Sequence, residues 1–295
     1  MEVIKMKKSV LWTLTILGFV LMAGHTLAQT LPAQAYLIDI WKEFYNTTVG
    51  DWAKNAAWFI NYVPKLKLVY LLVLLGVPGV FFLHYLIIGP KKFSHEGEQI
   101  LYYDIFARVI HWLAALFFSL LVVTGLIIIF ANFFGGGTFV KFSRYVHLIS
   151  AFGFGITLVP MFIMWFKDML PATYDIKWFL ILGGYLSKKK FPIPAGKYNA
   201  GQKMWFWLAT LGGGFMLFTG FYIYLFNVSP GTLRIYTLLH ILLGIAIVAL
   251  YFTHIYMSMV AIKGALWSMI TGYKSADEVS ILHSKYYEKL KNKLN

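Results

Sequence analysis

Five long apolar runs decide what this chain can fold into. They cover about residues 67–89, 107–133, 144–166, 204–226 and 233–260. Each meets the ~20 residues that carry a helix across a hydrocarbon core of about 30 Å. Helices are required, because backbone groups left unpaired in lipid are costly. The expected fold class is an all-α membrane protein. Composition agrees: 59% of residues are hydrophobic and only 13% are charged, against about a quarter in soluble domains. The net charge of +14 would suit a nucleic-acid binder. There is no long basic arm or nucleic-acid motif, however, and lysine collects in the cytoplasmic loops of membrane proteins. Nucleic acid is therefore not an expected partner.

Residues 1–28 read as a secretory signal. Lys5, Lys7 and Lys8 precede the apolar stretch "VLWTLTILGFVLMAG", and "TLA" ending at Ala28 offers small residues for cleavage. An uncleaved anchor helix is the alternative. Residues 29–66, rich in Trp, Tyr and Asn, are expected as an amphipathic periplasmic segment, and 67–89 as an extra span. A four-helix domain then occupies 90–262, and a tail 263–295. The loops after spans one, three and five, with the tail, hold fifteen lysines, whereas the remaining segments from Lys42 to Arg234 hold seven Lys and Arg. The positive-inside rule places the lysine-rich set in the cytoplasm, with the mature N-terminus periplasmic and the C-terminus cytoplasmic. The loop 167–203 contains "TYDIKWFLILGGYL", an expected interfacial helix, and "GKYNAGQK" just ahead of span four. The tail offers a capping box at Ser275 and Glu278 and is expected as a surface helix. No internal repeat is evident.

The chain has no cysteine. That excludes disulfides, Cys-ligated iron–sulfur clusters and CxxCH haem attachment. Histidine remains as a ligand, and four of the eight lie in the spans: His111, His147, His240 and His254. Ionisable groups in membrane helices are functional candidates by default. His111 opens span two from the inside, and His147 opens span three from the outside. His240 lies near the outer start of span five. His254 follows 14 residues later, about 21 Å and nearly four turns further in. His240 and His254 thus share almost one face at two depths, with His147 at the level of the first and His111 at the level of the second. Two facing pairs of imidazoles suit two stacked b-type haems. Each iron then takes two axial nitrogens and has no open position, which favours electron transfer. Interhelical hydrogen bonding is the competing reading of the histidines, and a haem-free transporter or membrane anchor the competing function. Gly125, Gly153, Gly155 and Gly244 would leave room for a flat macrocycle, or serve as ordinary helix-interface glycines. His25 would leave with the signal, and His84 suits an interfacial role. His95 and His283 are expected to be solvated.

The segments "RVIHW", "RYVHLISAFG", "GKYNAGQK", "LLHILLG" and "THIYM" resemble the cytochrome b (gamma) subunit of membrane-bound formate dehydrogenase, related to hydrogenase cytochrome b subunits. The resemblance runs from about 104 to 290. It implies a four-helix transmembrane haem-binding bundle with two haem b. His147 and His240 match the ligands on the periplasmic side, and His111 and His254 those on the cytoplasmic side. Asn199, Gly201 and His254 match positions bordering a quinone, menaquinone or ubiquinone. The resemblance further implies a bacterial inner-membrane complex. An iron–sulfur beta subunit would pass on electrons from a molybdenum- or tungsten-containing alpha subunit that oxidises formate. This chain would carry them to quinone near the cytoplasmic side, and a higher oligomer of the complex is compatible. Hydrogenase or thiosulfate reductase remains open as the partner enzyme. The N-terminus departs from the gamma-subunit pattern, which has four spans and begins in the cytoplasm. From spacing alone Asn199 also reads as a helix N-cap, and N–H groups at a helix start suit a quinone carbonyl too.

Overall fold

The structure, a computed structural model, describes residues 52–94 and 96–294. The expected signal, residues 29–51 and His95 lie outside the described residues. The long elements are helices. In chain order they begin with α1 (Trp52–Ile87), a short strand β1 (Gln99–Leu101), α2 (Ile105–Ile129), α3 (Gly137–Trp165) and α4 (Thr173–Leu180). There follow α5 (Ala200–Trp207), α6 (Gly213–Leu225), α7 (Pro230–Tyr256) and α8 (Ala265–Thr271). Strand β2 (Tyr273–Ser275), α9 (Ala276–Leu282) and α10 (Ser284–Leu294) complete the order. A π-helical turn, Leu208–Gly212, joins α5 to α6, and a second, Met257–Ala261, extends α7. Five helical runs are long and apolar enough to cross a membrane: Ala56–Ile87, Ile105–Ile129, Gly137–Trp165, Ala200–Leu225 and Pro230–Ala261. The protein is an all-α membrane protein. Its first helix begins at Trp52 rather than near residue 67. Pro64 and Pro78 lie inside it without ending it, as membrane helices tolerate.

Helix starts follow ordinary capping chemistry. Asp104 Oδ1 accepts from the Ala107 N–H at 2.7 Å ahead of α2. Ser229 accepts from the Thr232 N–H ahead of α7, whose first residue is Pro230. Both satisfy a donor that has no partner within its own helix.

The chain divides into two compact units. One takes in Phe117–Phe152 and residues up to Tyr62; the other takes in Val63–Leu116 and Gly153–Asn295. In the first, α2 turns into α3 through Gly135, Gly136 and Gly137, with φ of 76°, 64° and 60°. Three successive left-handed residues are open only to glycine without strain.

The second unit carries a folded polar cap at the lysine-rich end. Strands β1 and β2 pair antiparallel, Gln99 opposite Ser275 and Leu101 opposite Tyr273. This ties the approach to α2 to the approach to α9. The tail is not a surface helix throughout: in α9, Val279, Glu278 and Leu282 are buried. The expected capping box is half formed. Ser275 accepts from the Glu278 N–H at 3.2 Å, but the Glu278 carboxylate pairs with Lys274. Two buried opposite charges satisfy each other better than a cap would serve either one.

In the same unit α1 is keyed into α7. The missing side chain of Gly244 makes room for the Tyr70 hydroxyl, the nearest atom a β-carbon there would meet. Gly244 therefore serves helix packing against Tyr70, and not the macrocycle space expected of it. Gly155 likewise faces Leu217. Gly244→Ala should lower thermal stability in detergent by about 1–3 kcal/mol, the usual cost of overpacking. Adding Tyr70→Phe, which removes the clashing oxygen, should recover most of that loss in the same melt.

Candidate functional site

Two histidine environments repeat one local plan. In α3, His147 Nδ1 lies 2.8 Å from Thr124 Oγ1 of α2. In α7, His240 Nδ1 lies 2.9 Å from Thr219 Oγ1 of α6. Each threonine already donates its single hydroxyl proton to its own helix: Thr124 to the Leu120 carbonyl at 2.6 Å, and Thr219 to the Phe215 carbonyl at 3.0 Å. The hydroxyl can then only accept from the imidazole. Nδ1 is therefore the protonated nitrogen in both rings, and Nε2 is left unprotonated, the form that ligates a metal. A glycine follows each threonine. A β-carbon on Gly125 would stand 3.4 Å from His147 Cε1, and one on Gly220 would stand 3.3 Å from His240 Cε1. The pair "TG" thus supplies an acceptor and a clear seat for the ring. Thr124, Thr219 and Gly220 escaped the sequence reading. The signal was the dipeptide itself, found 23 residues before His147 and 21 before His240. It is the internal repeat that the sequence alone concealed.

The other two span histidines come together directly. The rings of His111 and His254 have centroids 6.3 Å apart and planes at 53°. Two imidazoles sharing one metal atom at about 2 Å from each nitrogen have their centroids about 6 Å apart. Either ring is free to turn about the metal–nitrogen axis, so the tilt is no obstacle. Trp205 stacks on His254 at 5.4 Å and 18°. The His111 Nδ1 is buried and has no hydrogen-bond partner. His147 and His240 belong to different compact units.

These residues fit haem better than a bare ion. Among the described residues no group of three or more His, Cys, Asp or Glu converges to hold a metal. Haem brings four equatorial nitrogens and asks the protein only for axial ligands. His84 does not compete for the role. Its Nε2–H donates to the Tyr185 carbonyl at 2.9 Å, and its Nδ1 accepts from the Tyr256 hydroxyl at 2.6 Å. Both nitrogens are engaged, in keeping with its expected interfacial role.

"GKYNAGQK" forms the start of α5. Asn199 Oδ1 accepts from the Gln202 N–H at 3.0 Å, and Gln202 Oε1 accepts from the Asn199 N–H at 2.9 Å. This is a full capping box. The glycines allow close approach of α4: a β-carbon on Gly201 would lie 2.8 Å from the Trp178 ring, and one on Gly196 would lie 2.5 Å from the Tyr174 hydroxyl. Lys203 pairs with Asp175 of α4 at 2.8 Å, both largely buried. The preceding carbonyls are held from the other side. The Lys285 N–H donates to Ala195, His283 Nδ1–H to Gly196 at 2.9 Å, and the Tyr102 hydroxyl to Lys197. His283 is thus buried, 2% exposed, and not solvated as expected. Sequence alone placed it in a polar tail and gave no sign that the tail folds back.

The sequence profile of the prokaryotic cytochrome b561 family matches residues 102–272, more than half of the chain and all four span histidines. The chain belongs to that family. Membership implies haem b. Similar proteins include the cytochrome b556(Fdn) subunit of the nitrate-inducible formate dehydrogenase of Escherichia coli K12. It is 28% identical over 194 residues, 62% of this chain and 88% of the relative. The formate dehydrogenase cytochrome b556 subunit of Haemophilus influenzae is 25% identical over 61% of this chain and 79% of its own length. The cytochrome b556(fdo) subunit of E. coli K12 is 24% identical over 66% of this chain and 94% of its own. The resemblance read from the motifs is to the same group of proteins.

The buried His283 sets a pH dependence. Burial, with the charge of Lys274 nearby, pushes its pKa down to about 3. In the unfolded chain it takes up a proton near 6.5. Stability of the cap should be complete above pH 6.5 and fall as the pH drops toward 3, by up to about 1.4 kcal/mol per pH unit. Limited proteolysis of the tail at pH 7 and pH 5 measures this. His283→Asn, which keeps a donor for the Gly196 carbonyl but does not titrate, should remove the difference.

Proposed function

We propose that this chain is the dihaem cytochrome b subunit of a periplasm-facing formate dehydrogenase. It takes electrons from an iron–sulfur subunit and delivers them to quinone near the cytoplasmic side of the bacterial inner membrane. His111 and His254 hold one haem on the cytoplasmic side, and His147 and His240 hold the other on the periplasmic side. The His111–His254 pair carries the reading, because its spacing is that of two axial ligands on one metal. The names of the similar proteins support the choice of partner enzyme. Bound haem supplies reversible one-electron exchange at an iron with no open coordination position.

The chain's own residues do the rest. Thr124 and Thr219 fix the tautomer of their histidines. Asn199 and Gly201, at the start of α5, border the quinone together with His254, and the free N–H groups of that helix end suit a quinone carbonyl. The fifteen lysines hold this end in the cytoplasm. Moving electrons inward while protons are drawn from the cytoplasm separates charge, at about 2.3 kcal/mol per charge per 100 mV.

A reduced-minus-oxidised spectrum of the purified protein should show a b-type alpha band; its absence would sink the haem reading. His147→Ala and His240→Ala should each remove one haem and leave the other, halving the band. Both haems surviving in either variant overturns the pairing. Asn199→Ala should cost about 1 kcal/mol of helix capping and weaken binding of a quinone-analogue inhibitor severalfold, with both haems retained. Unchanged inhibitor affinity would remove Asn199 from the quinone site.

A further inference from the structure

We propose that Thr124 and Thr219 set the potential of the haem held by His147 and His240 below that of the haem held by His111 and His254. The proposal rests on the reading that His147 and His240 share a haem. Its own observation is the pair of threonine–histidine hydrogen bonds at 2.8 and 2.9 Å. In both, the threonine hydroxyl is committed as acceptor because its proton is spent on a carbonyl of its own helix. Both threonines are buried, 5% and 0% exposed, so water does not weaken the bond. Donation from Nδ1–H shifts electron density to the far ring nitrogen and makes the imidazole a stronger ligand. A stronger donor favours ferric over ferrous iron, and hydrogen bonding around the ligands is one of the protein's levers on haem potential.

The other histidine pair lacks this support on at least one side. His111 Nδ1 is buried without a hydrogen-bond partner, although a threonine one position before a glycine would have been as easy to place there. The contrast lies between ligand sets in one chain, so it does not depend on composition or on the membrane as a whole. An order of potentials with the lower value on the lysine-poor side favours electron transfer toward the lysine-rich side, the direction of the proposed function.

Optical redox titration of the purified complex tests this without an activity assay. The variants are Thr124→Val and Thr219→Val, which keep the shape and remove the hydroxyl, with Thr→Ser at each position restoring it. Each valine variant should retain two haems and raise the lower-potential component. The preference for ferric iron should weaken up to about tenfold, tenfold being 59 mV for a one-electron couple. The serine variants should return it toward the starting value. Two haems with neither component moved overturns the tuning and leaves the shared haem standing. Shifts that fall on different components in the two variants overturn the shared haem and with it the proposal. Should valine cost the haem, Thr→Ala at the same position removes the hydroxyl without added bulk. Haem loss there too overturns the proposal in favour of ligand retention as the hydroxyl's role.

Discussion

A polar group on a helix surrounded by hydrocarbon has no water to turn to, and the arrangement of this protein's histidines follows from that. An imidazole must place both ring nitrogens within the protein or on a ligand. His84 meets the requirement with a carbonyl and a tyrosine hydroxyl, and so is spent. His147 and His240 meet half of it with a threonine and keep the other nitrogen in the form that binds metal. His111 and His254 instead face each other at a spacing that one metal atom fills. The same rule, met in three ways, separates a structural histidine from candidate ligands more sharply than depth in the membrane does.

The lysine-rich end obeys different physics. There the chain leaves the long helices and builds a small cap from a two-stranded ribbon, short helices and buried polar pairs. Lys203 with Asp175 and Lys274 with Glu278 are buried ion pairs, costly to break and of little net worth to stability. What they contribute is placement. Lys203 anchors the start of α5 to α4, and Lys274 keeps Glu278 satisfied while α9 packs its apolar side inward. The carbonyls of residues 195–197 are gripped by the folded-back tail and Tyr102. The stretch that begins α5 is thereby held from both sides, a rigid setting for a site that must recognise a small ligand.

The helices were legible in the sequence because hydrophobic length is a local property. The spans at α2, α3, α5–α6 and α7 lie close to where the apolar runs put them, and the Asn199 cap was readable from the run Asn-Ala-Gly-Gln. The start of α1 was not, since the polar residues after Trp52 resemble an interfacial segment and nothing local says that the helix continues through Pro64. The roles of Gly244, Thr124, Thr219 and His283 were hidden for a different reason. Each is defined by a partner far along the chain: Tyr70 for Gly244, a histidine on the next helix for each threonine, and the Gly196 carbonyl for His283.

The sequence by itself determined a chain of membrane helices, the absence of cysteine ligands, and four histidines at two helical depths. Composition and a 3.6-residue period suffice for those. Only the tertiary structure decided which nitrogen of an imidazole is protonated, which glycine makes room for a ring and which for a tyrosine, and that the tail closes on the start of α5. Those outcomes depend on distances of about 3 Å between residues tens of positions apart, and no local pattern encodes them.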